Sequence, residues 1–417
     1  MDIVALIKKE MKTRKISNKE LAIVAGTTSS TVSRFLNRKI ENLRFEYLLP
    51  MIQYLFPKDE LEIMQNYCKT LEGQNARLAL DYASFNHLTD LETALIEKLR
   101  NSNNEKDVEW AHIYEIYQRS RFRKLFGEDY VKELDVVNPS SDEAVCLLYL
   151  MYMHAYVHIS RNMVCEFGKR FERAFNRIVN PYLRKSLTLR YSTIQLMNSL
   201  YLGNEEELLF HSSNLLRLER RRYALGTVYH TLGEFYNYID FEKSETNLRK
   251  ALKIYEEIGH EDLQHAVKGS LTHLYNFWGK EPPYLYPDSE YLYDRLEYAR
   301  YLINQSEIEK AKEILNFVGK KLLSEKYEDK YYVHADYLGM YYYYMGLAYD
   351  NIDYLYQSIA EYNRGDIRVA TLAPAIELLR RGERVSAVWA ATYYRDLHFY
   401  NRFLDLKRNE VVVSNER

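Results

Sequence analysis

Apolar and polar positions alternate with helical spacing along most of the chain. Between residues 76 and 100 the apolar side chains recur every three or four positions: Leu80, Ala83, Leu88, Leu91, Ala94, Leu95 and Leu99. This spacing is typical of amphipathic helices that bury one face. A polar break starts at Asn138, and Ser140 or Ser141 is placed to cap a helix that begins near Glu143. The pattern therefore predicts an all-α protein.

From about residue 143 the helices recur in pairs with a period of about 34 residues, the length of a tetratricopeptide repeat. Three copies stand in register, at residues 232–254, 298–315 and 341–362. They predict a right-handed tetratricopeptide-like helical solenoid that occupies residues 76–371. Stacked helical pairs of this kind form a concave groove, and such grooves bind peptides or protein segments. The 40 tyrosines are expected to fill the wedges between neighbouring helices.

Residues 17–37 have a different pattern, which is typical of a helix-turn-helix. Ala22 is small where the first helix must let the second cross closely, and Gly26 can adopt the positive φ of a tight turn. Val32, with Phe35 and Leu36, gives the second helix an apolar face. We predict that Ser29 is the N-cap of that second helix.

The side chains left on the outside of this motif are short hydroxyls and cations, which suit base edges and phosphates. The predicted DNA-binding residues are Lys19, Thr28, Ser29, Ser30, Ser33, Arg34, Arg38 and Lys39. The alternative is an ordinary helical hairpin with a glycine turn. Because the turn spacing and the polar outer face occur together, we favour the DNA-binding interpretation.

The charge distribution agrees with this interpretation. Residues 1–44 hold ten Lys and Arg against four Asp and Glu, whereas the whole chain has a net charge of −2. A basic head on a mildly acidic body is typical of a small nucleic-acid module joined to a domain that binds something else. Tight and specific binding by one such motif normally requires two copies on a palindrome, so we expect the body to supply a homodimer interface.

These features predict four regions. Residues 1–45 are the DNA-binding domain, and residues 46–75 are linker helices, with short apolar helices bounded by Pro50 and Pro57. The solenoid follows, and residues 372–417 form a C-terminal cap and dimerisation region. The aromatic and apolar residues expected at that interface are Trp389, Tyr393, Leu397 and Phe403.

The chain carries few signs of other chemistry. Three widely spaced cysteines indicate a reducing compartment, and the absence of a membrane-length apolar run or a signal peptide leads us to expect a cytoplasmic protein without a membrane partner. No phosphate-binding glycine loop, zinc-ligand spacing or nucleophile elbow occurs. His154 and His158 are four residues apart, but two ligands alone do not make a metal site. We therefore expect no enzyme activity, no cofactor and no metal.

Scattered segments over nearly the whole chain resemble one known family. They are residues 64–68 (MQNYC), 79–83 (ALDYA), 91–97 (LETALIE), 112–117 (HIYEIY), 196–198 (LMN), 276–281 (NFWGKE), 303–304 (IN), 309–315 (EKAKEIL) and 358–362 (SIAEY). The chain resembles the peptide-sensing regulators of Gram-positive bacteria and their phages, and within them the arbitrium receptors (AimR) of temperate phages. The resemblance implies a homodimeric transcription activator in a lysis-lysogeny switch. It implies binding to a promoter in the free state, and loss of that activity when a secreted hexapeptide binds.

The resemblance also implies a set of peptide-binding residues. Peptides of the family end in Arg-Gly-Ala, and the groove of the family uses asparagines, an arginine and an aspartate. Carried onto this sequence, these positions are Asn198, Asn204, Arg221 or Arg222, Glu234, Asp336 and Asp366. Glu234 and Asp336 are acids where the family has asparagines, which alters the expected peptide selectivity but not the groove.

Two questions stay open at this point. The arginines at positions 217 and 220–222 are either a solvated helix face or a site for a peptide carboxylate. The chain as a whole is a phage regulator, a chromosomal peptide-responsive regulator of the same architecture, or a tetratricopeptide adaptor that does not bind DNA.

Overall fold

A computed structural model describes residues 2–122, 124–125, 127–157, 160–324 and 331–392, without the side chains of residues 331–334. Those residues form the helices α1 to α22 and a short 3-10 helix, and no β-strand occurs among them. The predicted all-α class is confirmed. Four residues named above lie outside the described residues: His158, Tyr393, Leu397 and Phe403. The chain divides into two compact units, Met1–Tyr191 and Ser192–Arg417.

The first unit starts with the predicted head and continues with longer helical pairs. Its helices are α1 (Ile3–Arg14), α2 (Asn18–Ala25), α3 (Ser29–Leu36), α4 (Phe45–Leu55), α5 (Glu60–Cys68), α6 (Gly73–Phe85), α7 (Thr89–Arg100), α8 (Glu105–Arg121), α9 (Gly127–Asp135), α10 (Asp142–Tyr156), α11 (Arg161–Phe175) and α12 (Pro181–Leu202). The division between the units falls inside α12. Ser141 caps α10 by accepting a hydrogen bond from the Ala144 backbone N–H, so the cap predicted near this position is confirmed.

The second unit contains the three repeats recognised in the sequence. Its helices are α13 (Glu205–Leu218), α14 (Arg222–Tyr236), α15 (Phe241–Glu257), α16 (Glu261–Phe277), α17 (Leu292–Asn304), α18 (Ile308–Leu322), α19 (Tyr331–Ala348), α20 (Ile352–Arg364), α21 (Leu372–Arg380) and α22 (Val385–Thr392). The 3-10 helix Arg368–Thr371 lies between α20 and α21. Successive helices pack against one another, and α17 also packs against α19.

One helical boundary differs from the expectation. Pro50 was predicted to end a short helix, but it lies inside α4, which continues to Leu55. A proline in a helix removes a single backbone hydrogen bond. The buried residues of α4 lie on both sides of Pro50, and they include Leu48, Leu49, Met51 and Ile52. Burial of these side chains outweighs the lost bond, and the helix ends only before Pro57.

Two helical pairs of the second unit use the same contact. Gly226 and Gly233 are seven residues apart on α14, and Gly339 and Gly346 are seven apart on α19. A Cβ atom on Gly233 would lie 2.6 Å from the Leu248 side chain, and one on Gly226 would lie 2.5 Å from the Tyr255 ring. Leu355 and Tyr362 of α20 occupy the matching places against α19. These glycines allow the paired helices to approach closely, and the tyrosines fill the wedge as predicted.

Candidate DNA-binding surface and ligand groove

The helix-turn-helix is built from local signals. Ser17 caps α2 by accepting from the Glu20 backbone N–H at 3.1 Å. Gly26 ends α2 with φ +64°, the left-handed conformation that the turn requires. Thr28 caps α3 by accepting from the Thr31 backbone N–H at 3.2 Å. Our prediction that Ser29 is the cap was therefore wrong by one residue, because Ser29 already has helical geometry as the first residue of α3.

The inner face of the motif agrees with the sequence prediction. Val32 and Phe35 are fully buried, and Leu36 is nearly so. Helix α2 packs directly against α3. Its buried residues at this contact are Leu21, Ala22 and Ala25. The apolar positions fix how α3 sits against α2, and they leave its other side exposed to solvent.

The predicted DNA-binding residues lie on this outer side. Ser33 is half-buried, and the exposed members are Lys19, Thr28, Ser29, Ser30, Arg34, Arg38 and Lys39. Arg38 has φ +53° and forms a solvent-exposed ion pair with Asp2. Arg14 also has a structural task, because its guanidinium donates to the backbone carbonyls of Tyr54 and Leu55 at 2.9 and 3.1 Å.

Two of the predicted peptide-binding acids, Glu234 of α14 and Asp336 of α19, interact electrostatically. Asp336 is half-buried, and the pKa of its carboxyl is raised to about 6, first because burial disfavours the charge and then because Glu234 is negative. Glu234 keeps 37% of its side chain exposed and lies 3.4 Å from His230 Nε2. Ser270 of α16 donates to the Glu234 carboxylate at 3.2 Å. The fold thus concentrates negative charge where α14, α16 and α19 meet.

A buried polar network that the sequence analysis missed lies beside these acids. Glu297 of α17, with 2% of its side chain exposed, lies 2.7 Å from His273 Nδ1 and accepts from the Tyr344 hydroxyl at 2.7 Å. Asn276 also donates to the Glu297 carboxylate, and the other ring nitrogen of His273 lies 2.8 Å from the Tyr238 hydroxyl. The only sequence signal for this network is polar residues at core positions of helices that are distant in sequence.

In this network burial disfavours the charged forms of His273 and Glu297, whereas their pairing favours those forms. Burial opposes the charge on His273, but the adjacent Glu297 carboxylate overrides it and raises the pKa of the imidazole. Burial likewise opposes ionisation of Glu297, yet His273, Asn276 and Tyr344 hold the pKa of its carboxyl below the usual value. Asp336 increases the pKa of His273 further. His273 and Glu297 thus each stabilise the charged form of the other.

The remaining predicted peptide-binding residues are dispersed and mostly engaged. Asn204 caps α13 by accepting from the Glu207 backbone N–H at 3.2 Å. Arg221 donates to the buried Glu219 carboxylate at 2.6 Å, and Arg222 forms an ion pair with Glu257. These pairs explain part of the arginine cluster noted in the sequence.

Asn198 and Asp366 complete the predicted set. Asn198 is 2% exposed on α12. Asp366 follows the end of α20 with φ +52°, and its carboxylate lies 3.8 Å from Arg368. Of the predicted peptide-binding residues, Glu234 and Asp336 are therefore the pair that the fold brings into electrostatic contact.

The described part of the chain offers no sign of a metal centre or a membrane span. No group of three or more His, Cys, Asp or Glu side chains is arranged there to hold a metal ion. None of its helices combines the length and apolar character that crossing a bilayer requires.

An exposed second helix in the helix-turn-helix motif and a body of successive packed helices define a helix-turn-helix protein with a helical-repeat body. The profile of Cro/C1-type HTH DNA-binding domains matches residues 7–55. The profile of AimR transcriptional regulator-like proteins matches residues 60–378. The chain belongs to this AimR transcriptional regulator-like family.

Individual relatives agree with this assignment. The chain is 27% identical to the AimR transcriptional regulator of Bacillus phage phi3T, over 84% of this chain and 89% of the relative. It is 25% identical to that of Bacillus phage SPbeta, over 90% of this chain and 96% of the relative. The fold resembles solved structures of selenomethionine phAimR (TM-score 0.69, 23% identity, 93% of this chain and 99% of that one) and of phAimR with a ligand (TM-score 0.67, 24% identity, 82% and 98%).

Proposed function

We propose that this protein is a peptide-gated transcription regulator of a phage lysis-lysogeny decision. It binds a promoter as a homodimer and is controlled by a short secreted peptide that ends in Arg-Gly-Ala. The observation that carries the proposal is the combination, in one chain of this family, of an exposed α3 and a helical-repeat body in which Glu234 and Asp336 interact electrostatically. The phage relatives named transcriptional regulators, and the solved phAimR with a ligand, support it.

We assign DNA binding to residues 1–45, connection to residues 46–75, peptide binding to residues 76–371 and dimerisation to residues 372–417. On α3, Arg34 reads a base edge, because a guanidinium can donate two hydrogen bonds to one guanine. Phosphates and base edges are bound by the exposed hydroxyls of Thr28, Ser29 and Ser30, by the half-buried Ser33, and by Lys19, Arg38 and Lys39.

A homodimer follows from the small size of the head. One helix-turn-helix contacts a single half-site, and two copies on a palindromic operator combine the energies of both. The C-terminal cap that contains Trp389 supplies the partner contact in this proposal. We assign no catalytic step to any residue, and no cofactor.

The peptide binds through charge. A guanidinium that leaves water must be paired, because an unpaired buried charge is far more costly than the pair is favourable. Glu234 and Asp336 supply this pairing, with Asp366 as a third acid. Asn198, Asn204 and Arg221 or Arg222 are assigned to the backbone and the carboxylate of the peptide. A cation that binds between Glu234 and Asp336 also relieves their repulsion, which acts together with the larger effect of burial to raise the pKa of Asp336.

The test is a calorimetric titration of the full chain with a hexapeptide that ends in Arg-Gly-Ala. The control peptide carries citrulline, a neutral isostere, in place of arginine. We expect binding of the arginine peptide, at least tenfold weaker binding of the citrulline peptide, and loss of this difference in Glu234→Gln and Asp336→Asn. Fluorescence anisotropy with a promoter fragment should show that the arginine peptide releases DNA. Equal binding of both peptides by the wild-type protein would contradict the proposal.

Asp366 needs its own variant, because its backbone is left-handed. Asp366→Asn removes the charge, and asparagine tolerates φ above zero, whereas alanine adds strain. We expect Asp366→Asn to weaken the arginine peptide without changing the melting temperature. Unchanged affinity in this variant would remove Asp366 from the site and leave the pair Glu234 and Asp336 in place.

A further inference from the structure

Helix α4 joins the DNA-binding head to the rest of the first unit. It packs against α1 and α2, and also against α5 and α6. Arg14 of α1 donates to the backbone carbonyls at the end of α4, and the Tyr54 hydroxyl of α4 donates to the Glu20 carboxylate of α2 at 2.8 Å. These bonds tie α4 to the helices of the head, so the placement of α4 determines the placement of the head.

The first residue of α4 is inserted between helices that follow the head. The Phe45 side chain is fully buried, and its ring centre lies 5.8 Å from that of Tyr82 in α6 and 5.0 Å from that of Tyr182 in α12, both in edge-to-face geometry. Asn75 of α6 accepts from the Phe45 backbone N–H at 2.9 Å. The N-cap residue Arg44 forms no side-chain capping bond, so α6 supplies the cap of α4. We call Asn75, Tyr82 and Tyr182 the Phe45 socket.

A buried carboxylate fixes one wall of this socket. Asp81 of α6 is fully buried and accepts from the Tyr182 hydroxyl at 2.8 Å and from the Ser186 hydroxyl at 2.5 Å. Tyr114 of α8 donates to the same carboxylate at 2.6 Å, and Arg190 lies 3.2 Å from it as an ion pair. Tyr182, Ser186 and Arg190 are four residues apart in turn, so they share one face of α12. Asp81 therefore holds this face of α12 against α6 and α8.

Buried polar bonds of this kind determine position more than stability. A buried ion pair adds little net stability, because both partners lose their hydration. Hydrogen bonds, however, depend on distance and direction, so a shift of α12 by one residue would break its three bonds to Asp81. Burial, and then the charge of Asp81, raise the pKa of the Tyr182 hydroxyl well above its ordinary value, which keeps this group a donor at neutral pH. The network thus holds the Tyr182 ring in place against Phe45.

We propose that Phe45 and its socket form a rigid joint that sets the orientation of the DNA-binding head, and that Asp81 is a positioning residue that acts through Tyr182. This inference rests on the proposed function, since the orientation of a head matters most when two heads bind one operator. The separation of the two half-sites must match the separation and orientation of the two heads. A head on a rigid joint accepts few separations, whereas a loosely attached head accepts many.

The test measures how strongly DNA binding depends on the spacing of the half-sites. Fluorescence anisotropy compares a promoter fragment with the same fragment carrying about five extra base pairs between its half-sites, which turns one half-site to the opposite face of the DNA. We expect the insertion to weaken binding by the wild-type protein by about tenfold or more. Phe45→Leu stays apolar but loses the ring contacts, and it should bind both fragments with nearly equal affinity. Tyr182→Phe loses only the bond to Asp81, and it should lower the ratio less.

Phe171→Leu is the matched control, because Phe171 is a buried ring of α11 that packs against Phe175. It should lower the melting temperature as Phe45→Leu does, yet keep the full wild-type ratio of affinities. A duplex with one half-site should bind the wild-type protein and all variants equally, since α3 is unchanged. Where Phe45→Leu does not fold, Tyr182→Phe carries the test.

Three results would overturn the rigid joint while the proposed function stands. They are equal binding of both spacings by the wild-type protein, a full wild-type ratio in Phe45→Leu and Tyr182→Phe, and a loss of the ratio in Phe171→Leu that equals the loss in Phe45→Leu. If the wild-type protein binds no promoter fragment, the proposed function fails together with this inference.

Discussion

The helix-turn-helix and the groove of the second unit present polar groups in opposite ways. In the head, the candidate DNA-binding residues lie between positions 19 and 39, and nearly all are exposed. In the groove, the polar groups come from α14, α16, α17 and α19, and several are buried. Glu297 and Tyr344 are 47 residues apart in sequence, yet they share a hydrogen bond.

Exposed side chains on α3 can therefore bind a partner without stabilising the fold, whereas the buried polar groups of the second unit also stabilise it. An exposed side chain on α3 is already solvated, so its removal hardly changes the free energy of unfolding. A buried carboxylate such as Glu297 must keep its partners, because water cannot replace them. We therefore expect substitutions of exposed side chains within α3 to change affinity alone, and substitutions in the groove to change both affinity and stability.

The largest effect is expected for Glu297→Ala. It leaves the buried side chains of His273, Asn276 and Tyr344 without their common partner, so the free energy of unfolding should fall by about 3–5 kcal/mol. Urea denaturation measures this loss. The control is Glu309→Ala, which removes an acid with 85% of its side chain exposed and should cost less than about 0.5 kcal/mol. A similar small loss for both variants would show that the buried network does not stabilise the fold.

The ionised carboxylate of Asp336 should destabilise the folded protein, and the pH dependence of the free energy of unfolding should reveal this effect. The pKa of Asp336 is about 6 in the folded protein, against the ordinary aspartate value of 3.8, so folding takes up a proton at pH values between the two. Stability from this group therefore falls as pH rises from about 4 to 6. Asp336→Asn should raise the free energy of unfolding at pH 8 by an amount on the order of 1–3 kcal/mol. The gain should shrink towards pH 4. Exposed Asp262→Asn, the control, should show no such trend, and an equal gain at both pH values would exclude titration of Asp336 as the cause.

In the head, Arg34→Ala should weaken specific promoter binding by about 1–3 kcal/mol, since a bidentate contact to a guanine is lost. Lys39→Ala should weaken binding to all DNA sequences alike and flatten the salt dependence, as a phosphate contact does. Anisotropy titrations with specific and random duplexes at several salt concentrations separate the two roles. Neither variant should alter the melting temperature. Equal loss of sequence discrimination from both changes would show that these roles are wrongly assigned.

The smallest effect distinguishes two neighbouring hydroxyls at the start of α3. Thr28→Ala removes the capping bond to the Thr31 N–H and should cost about 1 kcal/mol of stability. Ser29→Ala should cost nearly nothing, because Ser29 lies inside the helix. Thermal denaturation of the two variants gives the comparison. A larger loss for Ser29→Ala than for Thr28→Ala would restore the cap that the sequence pattern indicated.

Local features could be predicted from the sequence, apart from an error of one residue in the N-cap of α3 and one wrong helix boundary at Pro50. The turn at Gly26 and the buried face of Val32 and Phe35 follow from spacing that involves neighbouring residues only. We predicted Ser29 as the N-cap of α3, and the structure has Thr28 there. Both residue types are good caps, and only the backbone conformation distinguishes them. Pro50 was taken as a helix boundary because the sequence does not show how much apolar surface its helix buries.

The sequence by itself determined the helical class, the DNA-binding motif and the register of the three repeats. Each of these depends on periodicity or on residues within a few positions of one another, which the chain order encodes directly. The tertiary structure alone decided that Glu297 meets His273 and that Arg222 meets Glu257. Such pairings depend on which faces of distant helices come together, and a difference of one residue in helix packing would exchange every partner.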